Sequence, residues 1–119
     1  MGPKNFNLLQ KIFKSNINIE HLNIADCKID GEQTKLLCEL LSNNKKLREL
    51  IIRNCDIGDV GSAAIAHLID NNKSIVELEI FHCSITEKGG NEIGNALKTN
   101  FCIEKLSIGD NELNPKDVD

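Results

Sequence analysis

The chain repeats itself every 28 residues, and this period limits what it can fold into more than any other feature. The motif Ile19-x-x-Leu22-x-Ile24-x-x-Cys27-x-Ile29 returns as Leu47-x-x-Leu50-x-Ile52-x-x-Cys55-x-Ile57 and as Ile75-x-x-Leu78-x-Ile80-x-x-Cys83-x-Ile85. A fourth copy reads Ile103-x-x-Leu106-x-Ile108-x-x-Asn111-x-Leu113. The other half of the period repeats too. Leu37, Leu40 and Leu41 align with Ile65, Leu68 and Ile69, then with Ile93, Ala96 and Leu97; Asn44, Asn72 and Asn100 follow in phase. Leu9, Ile12, Phe13 and Asn16 extend the pattern upstream. An array of this kind predicts stacked units that bury a shared core. The 119 residues read as one domain: a helical half-repeat over 1–18, full repeats over 19–46, 47–74 and 75–102, and a partial repeat over 103–119.

The segment around Leu22-x-Ile24 alternates apolar and variable positions, as a half-buried strand does. The segment after it places apolar residues at i, i+3 and i+4, the stripe of an amphipathic helix. Stacking strand–turn–helix units lays parallel strands on one face and helices on the other. Helices are wider than strands, so the stack curves with its strands inside. Cys27, Cys55, Cys83 and Asn111 occupy the bend after each strand, as small buried groups or hydrogen-bonding side chains. Asn44, Asn72 and Asn100 fall at the other turn, where Asn tolerates left-handed backbone and satisfies local groups. Gly61 and Gly89 share a phase with Gln33, so that phase does not demand glycine.

The L-x-x-L-x-L-x-x-C/N-x-I/L signature and the 28-residue period resemble leucine-rich repeat proteins of the ribonuclease-inhibitor-like subclass. The resemblance runs from about Leu8 to Leu113. It implies an α/β solenoid, a short right-handed horseshoe with strands on the concave face and helices on the convex face. The type protein alternates two repeat classes. Three consecutive copies here share a Cys at the bend, a homogeneity similar to the arrays of NOD-like receptors and tropomodulin. Such relatives imply enzyme inhibition, actin capping, ligand sensing or effector docking. Similarity in repeat type to the Ran GTPase-activating protein implies regulation of a partner enzyme, with Arg53 as a charge-stabilising residue. A purely structural segment of a longer array is the third reading.

Composition narrows the partners. A net charge of −4 argues against a nucleic-acid surface and against a polybasic membrane anchor. No apolar run spans a bilayer, and no apolar stretch follows Met1-Gly2-Pro3-Lys4-Asn5 as in a signal peptide. Five Cys without a C-x-x-C pair argue against zinc, and their odd count suits reduced thiols in the cytoplasm. Cys38 reads as packing and Cys102 as the most exposed thiol. His67 reads as solvated, and His21 and His82 are too far apart to share a site. No nucleophile elbow, phosphate loop or zincin motif is present, so the reading is a non-enzyme without cofactor or metal. Lys35, Glu39, Lys88 and Glu92 read as a solvated helix surface.

Functional information should lie in strand positions that packing does not dictate. One phase gives His21, Glu49, Glu77 and Lys105; the next gives Asn23, Ile51, Glu79 and Ser107; the third gives Ala25, Arg53, Phe81 and Gly109. The bend adds Asp26, Asn54, His82 and Asp110. Ile51 and Phe81 become diagonal neighbours inside a charged rim, the composition of a protein-binding patch. The partner-binding set is His21, Asn23, Glu49, Ile51, Arg53, Glu77, Glu79, Phe81, His82 and Lys105. Four strands about 4.8 Å apart expose only about 250–300 Å², against about 800 Å² per partner in a standard interface. Loops and rims must therefore join the contact, or the array must continue. The polar stretch from Asn114 to Asp119 offers no covering helix, which leaves the fourth strand as an edge open to self-association.

Overall fold

The structure, a computed structural model, describes residues 19–26, 29–109 and 111. Leu9, Ile12, Phe13, Asn16, Cys27, Asp110 and Leu113, on which some of the sequence expectations rest, lie outside them, as do Asn114–Asp119.

Strands and helices alternate as β1 (His21–Ala25), α1 (Gly31–Leu41), β2 (Glu49–Arg53), α2 (Gly58–Asn71), β3 (Glu77–Phe81), α3 (Glu87–Leu97) and β4 (Lys105–Ser107). The four strands form one parallel sheet in the order β1-β2-β3-β4. Its register follows the sequence period: His21 pairs with Glu49, Glu49 with Glu77, and Glu77 with Lys105. Helix α1 packs on α2, and α2 on α3. Between sheet and helices lies an aliphatic core that includes Ile24, Leu37, Leu41, Leu50, Ile52, Ile65, Leu78, Ile80 and Ile93, all buried. Each such side chain contributes about 1.5–3 kcal/mol on burial. In β4 the corresponding Leu106 is 40% exposed.

Two ladders of side chains stitch successive repeats together. The first is built from the asparagines at the helix-to-strand turn, all three buried. Asn72 Nδ2 donates to Leu41 O at 3.1 Å and Asn44 O at 2.9 Å in the preceding repeat, while Oδ1 accepts from Ser74 N and Ile75 N. Asn100 repeats this one step on, bonding Ile69 O and Asn72 O and accepting from Cys102 N and Ile103 N. Asn44 accepts from Lys46 N and Leu47 N and donates to Ile19 O. The expectation of left-handed backbone here is wrong: Asn72 is extended (φ −110°), and none of the three has positive φ. These positions need an amide that joins two repeats, not an unusual backbone.

The second ladder runs along the strand-to-helix bend. Cys55 Sγ donates to Ile24 O, Cys83 Sγ to Ile52 O, and Asn111 Nδ2 to Ile80 O, each into the strand before. One residue before each Cys the backbone turns left-handed, at Asp26 (φ 59°), Asn54 (φ 54°) and His82 (φ 57°). Asp, Asn and His are the non-glycine residues that tolerate this region best. This phase, read from sequence as a freely varying surface position, is therefore fixed by backbone geometry.

Helix starts show how repeats can differ locally while sharing a frame. Helix α1 has its own capping box: Gln33 N donates to Asp30 Oδ1 at 2.8 Å, and Asp30 N donates to Gln33 Oε1 at 3.0 Å. Helix α3 borrows its cap from the neighbouring repeat. Asp59 of α2 accepts from Thr86 N at 2.9 Å and Thr86 Oγ1 at 2.5 Å. The close approach this requires leaves no room at Gly89, where a Cβ would sit 2.1 Å from Ser62 Oγ and 2.6 Å from Asp59 Oδ1. So Gln33 is correct in the first repeat, and glycine is required in the third.

Replacing Asn72 with Ala strands buried carbonyls and amides of two repeats. At about 1–3 kcal/mol for each group left unpaired, unfolding free energy should fall by about 3 kcal/mol or more. The exposed Asn43→Ala should stay within about 0.5 kcal/mol. Urea titration followed by far-ultraviolet circular dichroism measures both; the chain has no Trp or Tyr for fluorescence. Gly89→Ala should cost about 1–3 kcal/mol in the same assay, through overpacking against Ser62 and Asp59.

Candidate functional site

Because strand side chains alternate, the positions between the buried aliphatics face outward together. The parallel register then sets them in rows. The first row is His21, Glu49, Glu77 and Lys105; His21 Nδ1 lies 3.3 Å from Glu49 Oε1. The second is Asn23, Ile51, Glu79 and Ser107. The third is Ala25, Arg53 and Phe81, continued by Gly109 through the bond from His82 N to Gly109 O at 3.3 Å. Nine of the ten residues in the expected partner-binding set share this face. His82 stands beside it on the left-handed bend, exposed.

The centre of the face is more mixed than the sequence suggests. Ile51, Arg53, Glu79 and Phe81 form a square across β2 and β3. Ile51 and Phe81 occupy one diagonal, and Arg53 Nε bonds Glu79 Oε2 along the other. The ion pair thus divides the apolar centre. Ile51 is half-buried, while Phe81 is 40% exposed. The Phe81 ring leans toward β4: a Cβ on Gly109 would lie 3.4 Å from its Cε2. The exposed ion pair adds about 0.2–1 kcal/mol at most to stability, so its effect is mainly on the shape and charge of the surface.

The helical side departs from the expectation of a plain solvated surface. Lys35 and Glu39 of α1 and Lys88 and Glu92 of α3 wall a groove of about 920 Å³. Val60, Ala63 and Ala64 of α2 form its floor, with Val60 53% exposed. Comparison at the 28-residue period reveals its cause: where α1 has Glu32, Lys35 and Leu36 and α3 has Lys88, Asn91 and Glu92, α2 has the short Val60, Ala63 and Ala64.

The thiols are held away from chemistry. Burial pushes Cys38 up to about 12 and Cys83 up to about 11. Cys102 is half-buried and the least enclosed of the free thiols described. Gly94, at the phase of the buried Cys38 and Ala66, is exposed. His67 is exposed and sits 3.2 Å from Asn71 Nδ2. Partial burial works against the charge of Asp59, but hydrogen bonds from Thr86 and Gly89 and the nearby Lys88 outweigh it, leaving its carboxyl below the usual range. Among the described residues, no three His, Cys, Asp or Glu side chains are placed to share a metal ion, and no helix is long and apolar enough to cross a membrane.

Comparison with known proteins agrees with this architecture. The family model described as "Leucine Rich repeat" matches residues 15–32 and 43–66. No curated protein matches the sequence. Among solved structures, the chain is similar to actin-binding site 2 of leiomodin-1, with a TM-score of 0.72 and 25% identity. The match covers 84% of this chain and 58% of that one.

The buried thiols lead to two expected outcomes. Iodoacetamide should label Cys102 in the native protein and reach Cys38, Cys55 and Cys83 only on unfolding, as read by peptide mass spectrometry. Cys38 and Cys83 keep their protons in the folded state above the ordinary value of 9.0, so unfolding in alkali releases protons. Their contribution is full below that pH and is lost as pH rises toward about 11–12. The urea midpoint should fall as pH rises from neutral into this range, less steeply in Cys38→Ala.

Proposed function

We propose that this chain, a leucine-rich repeat solenoid by its period, its register and its relatives, is a non-catalytic module that presents its concave strand face and adjoining loops to a protein partner. The observation that carries the reading is the division of labour within each repeat. Core, ladder and bend positions recur, while the outward positions of the three rows change from repeat to repeat, Glu49 and Glu77 excepted, on a backbone held in register. A surface held in this way avoids much of the ordering cost of association. Ile51 and Phe81 offer apolar contact, and Arg53, Glu49, Glu77, Glu79, His21 and Lys105 surround them with directional charge. Free thiols at Cys38, Cys55 and Cys83 suit a reducing compartment, and the reading places the protein in the cytoplasm. The strand face is small for a standard interface, so loops beside it belong to the proposed contact.

The likeness to an actin-binding site in leiomodin-1 makes actin the first partner to test. Cosedimentation with filaments and capture of monomers should be run with wild type and with Arg53→Glu/Phe81→Ala. Both changed residues are exposed, so the variant should keep the wild-type circular dichroism spectrum. Retention of actin by wild type and a loss of roughly tenfold in affinity in the variant would support an actin contact on the strand face. If actin is not retained, the same pair of baits should be used on whole cytosol. A protein recovered equally by both baits would overturn the assignment of the strand face.

A further inference from the structure

The charge of the chain is unevenly placed. Against an overall −4, the loops that lead from α1 into β2 and from α2 into β3 carry Lys45, Lys46, Arg48 and Lys73, all exposed. These four cations line a groove of about 630 Å³ with Ser74, Val76, Phe101 and Cys102, closed off by Glu20 and Glu104. Among the described residues none of the four has a carboxylate partner; the ion pairs there are His21–Glu49 and Arg53–Glu79. Phe101 is 90% exposed, more than any other large apolar side chain described.

The backbone beneath this rim is fixed. Lys45, Lys73 and Phe101 each follow a ladder asparagine by one residue. The next amides, Lys46 N, Ser74 N and Cys102 N, donate to Asn44, Asn72 and Asn100 at 2.7, 2.7 and 2.8 Å. Two lysines and a phenylalanine are therefore carried in line at the spacing of neighbouring strands, about 4.8 Å. We propose that this rim is a docking strip for a short acidic protein segment with an apolar side chain at its Phe101 end. The three repeats span about 10–15 Å, room for three or four residues of extended peptide at about 3.3 Å each. Glu20 and Glu104 bound the positive strip at both ends and oppose a longer polyanion. The exposed ring gives a peptide side chain something to pack on. The proposal rests on the reading that the chain binds a protein, and it adds the chemistry that the protein brings.

The probe is a fluorescein-labelled peptide of three glutamates ending in leucine, followed by anisotropy at about 50 mM salt, where charge attraction is weakly screened. Lys45→Glu/Lys73→Glu should weaken its binding by roughly tenfold or more, and so should raising the salt to about 300 mM. Phe101→Ala should weaken the leucine-ended peptide several-fold and leave an all-glutamate peptide within twofold. Lys35→Glu, exposed on the helical side, should leave both within twofold. The strip is overturned if the peptide does not bind at millimolar concentration, if the charge-reversed variant binds it equally well, or if an oligouridine of equal charge binds as tightly. The last result would make the rim a general polyanion site. Loss of the strip alongside a partner that still depends on Arg53 and Phe81 would leave the strand-face reading standing by itself.

Discussion

The buried asparagine amide is what the rest of the molecule depends on. One repeat has no interior of its own: its strand shows backbone groups to both sides and its helix shields one face. Where the chain leaves a helix to start the next strand, amides and carbonyls of two repeats are buried together, and each unpaired group costs about 1–3 kcal/mol. Asn72 satisfies four of them with one side chain, two in its own turn and two in the repeat before. Neither Asp nor Ser could replace it. Asp lacks the donors, and Ser cannot donate twice while accepting twice at that reach. The thiol and amide ladder at the bend does the same work more loosely, which is why Cys55 and Cys83 can share a phase with Asn111.

Scaffold and surface are thereby separated along the sequence. The buried phases keep aliphatic residues, the ladder phases keep Asn or Cys, and the left-handed phase keeps Asp, Asn or His. What remains free is a grid of outward strand positions and the loops beside it. Its centre combines two apolar side chains with a crossing ion pair, so it is neither a greasy patch nor a charged one. The rim holds cations that have no carboxylate partner among the described residues, and an exposed ring. The two surfaces adjoin at the start of the strands, where the row of Glu49 and Glu77 follows Arg48 and Val76 directly in the chain.

Much of the fold was legible in the sequence because stacking forces every repeat to make the same contacts. Strand order, parallel register, the aliphatic core and the buried Cys positions all follow from the period alone. Contacts between repeats with different residues were harder to read. Gly89 looked optional because Gln33 shares its phase, yet Asp59 caps α3 from the repeat before and fills the space a side chain would need. The groove over α2 arises from a difference in side-chain size among three helices, and no single repeat contains that signal. The rows of the strand face were legible position by position. The pairing of Arg53 with Glu79, and the turn of Phe81 toward Gly109, depend on side-chain directions that spacing does not encode.

The ladders have a consequence for how such a gene can change. Equivalent ladder bonds reach back by the same distance in successive repeats: Asn72 reaches Leu41, Asn100 reaches Ile69, and Cys83 reaches Ile52. A duplication or deletion of one whole repeat leaves every such partnership intact and only lengthens or shortens the stack. A slip of a single codon between two such partners changes their separation and takes that donor away from its acceptor. Recombination in whole units therefore preserves the ladders, while the outward grid is free to diverge one residue at a time.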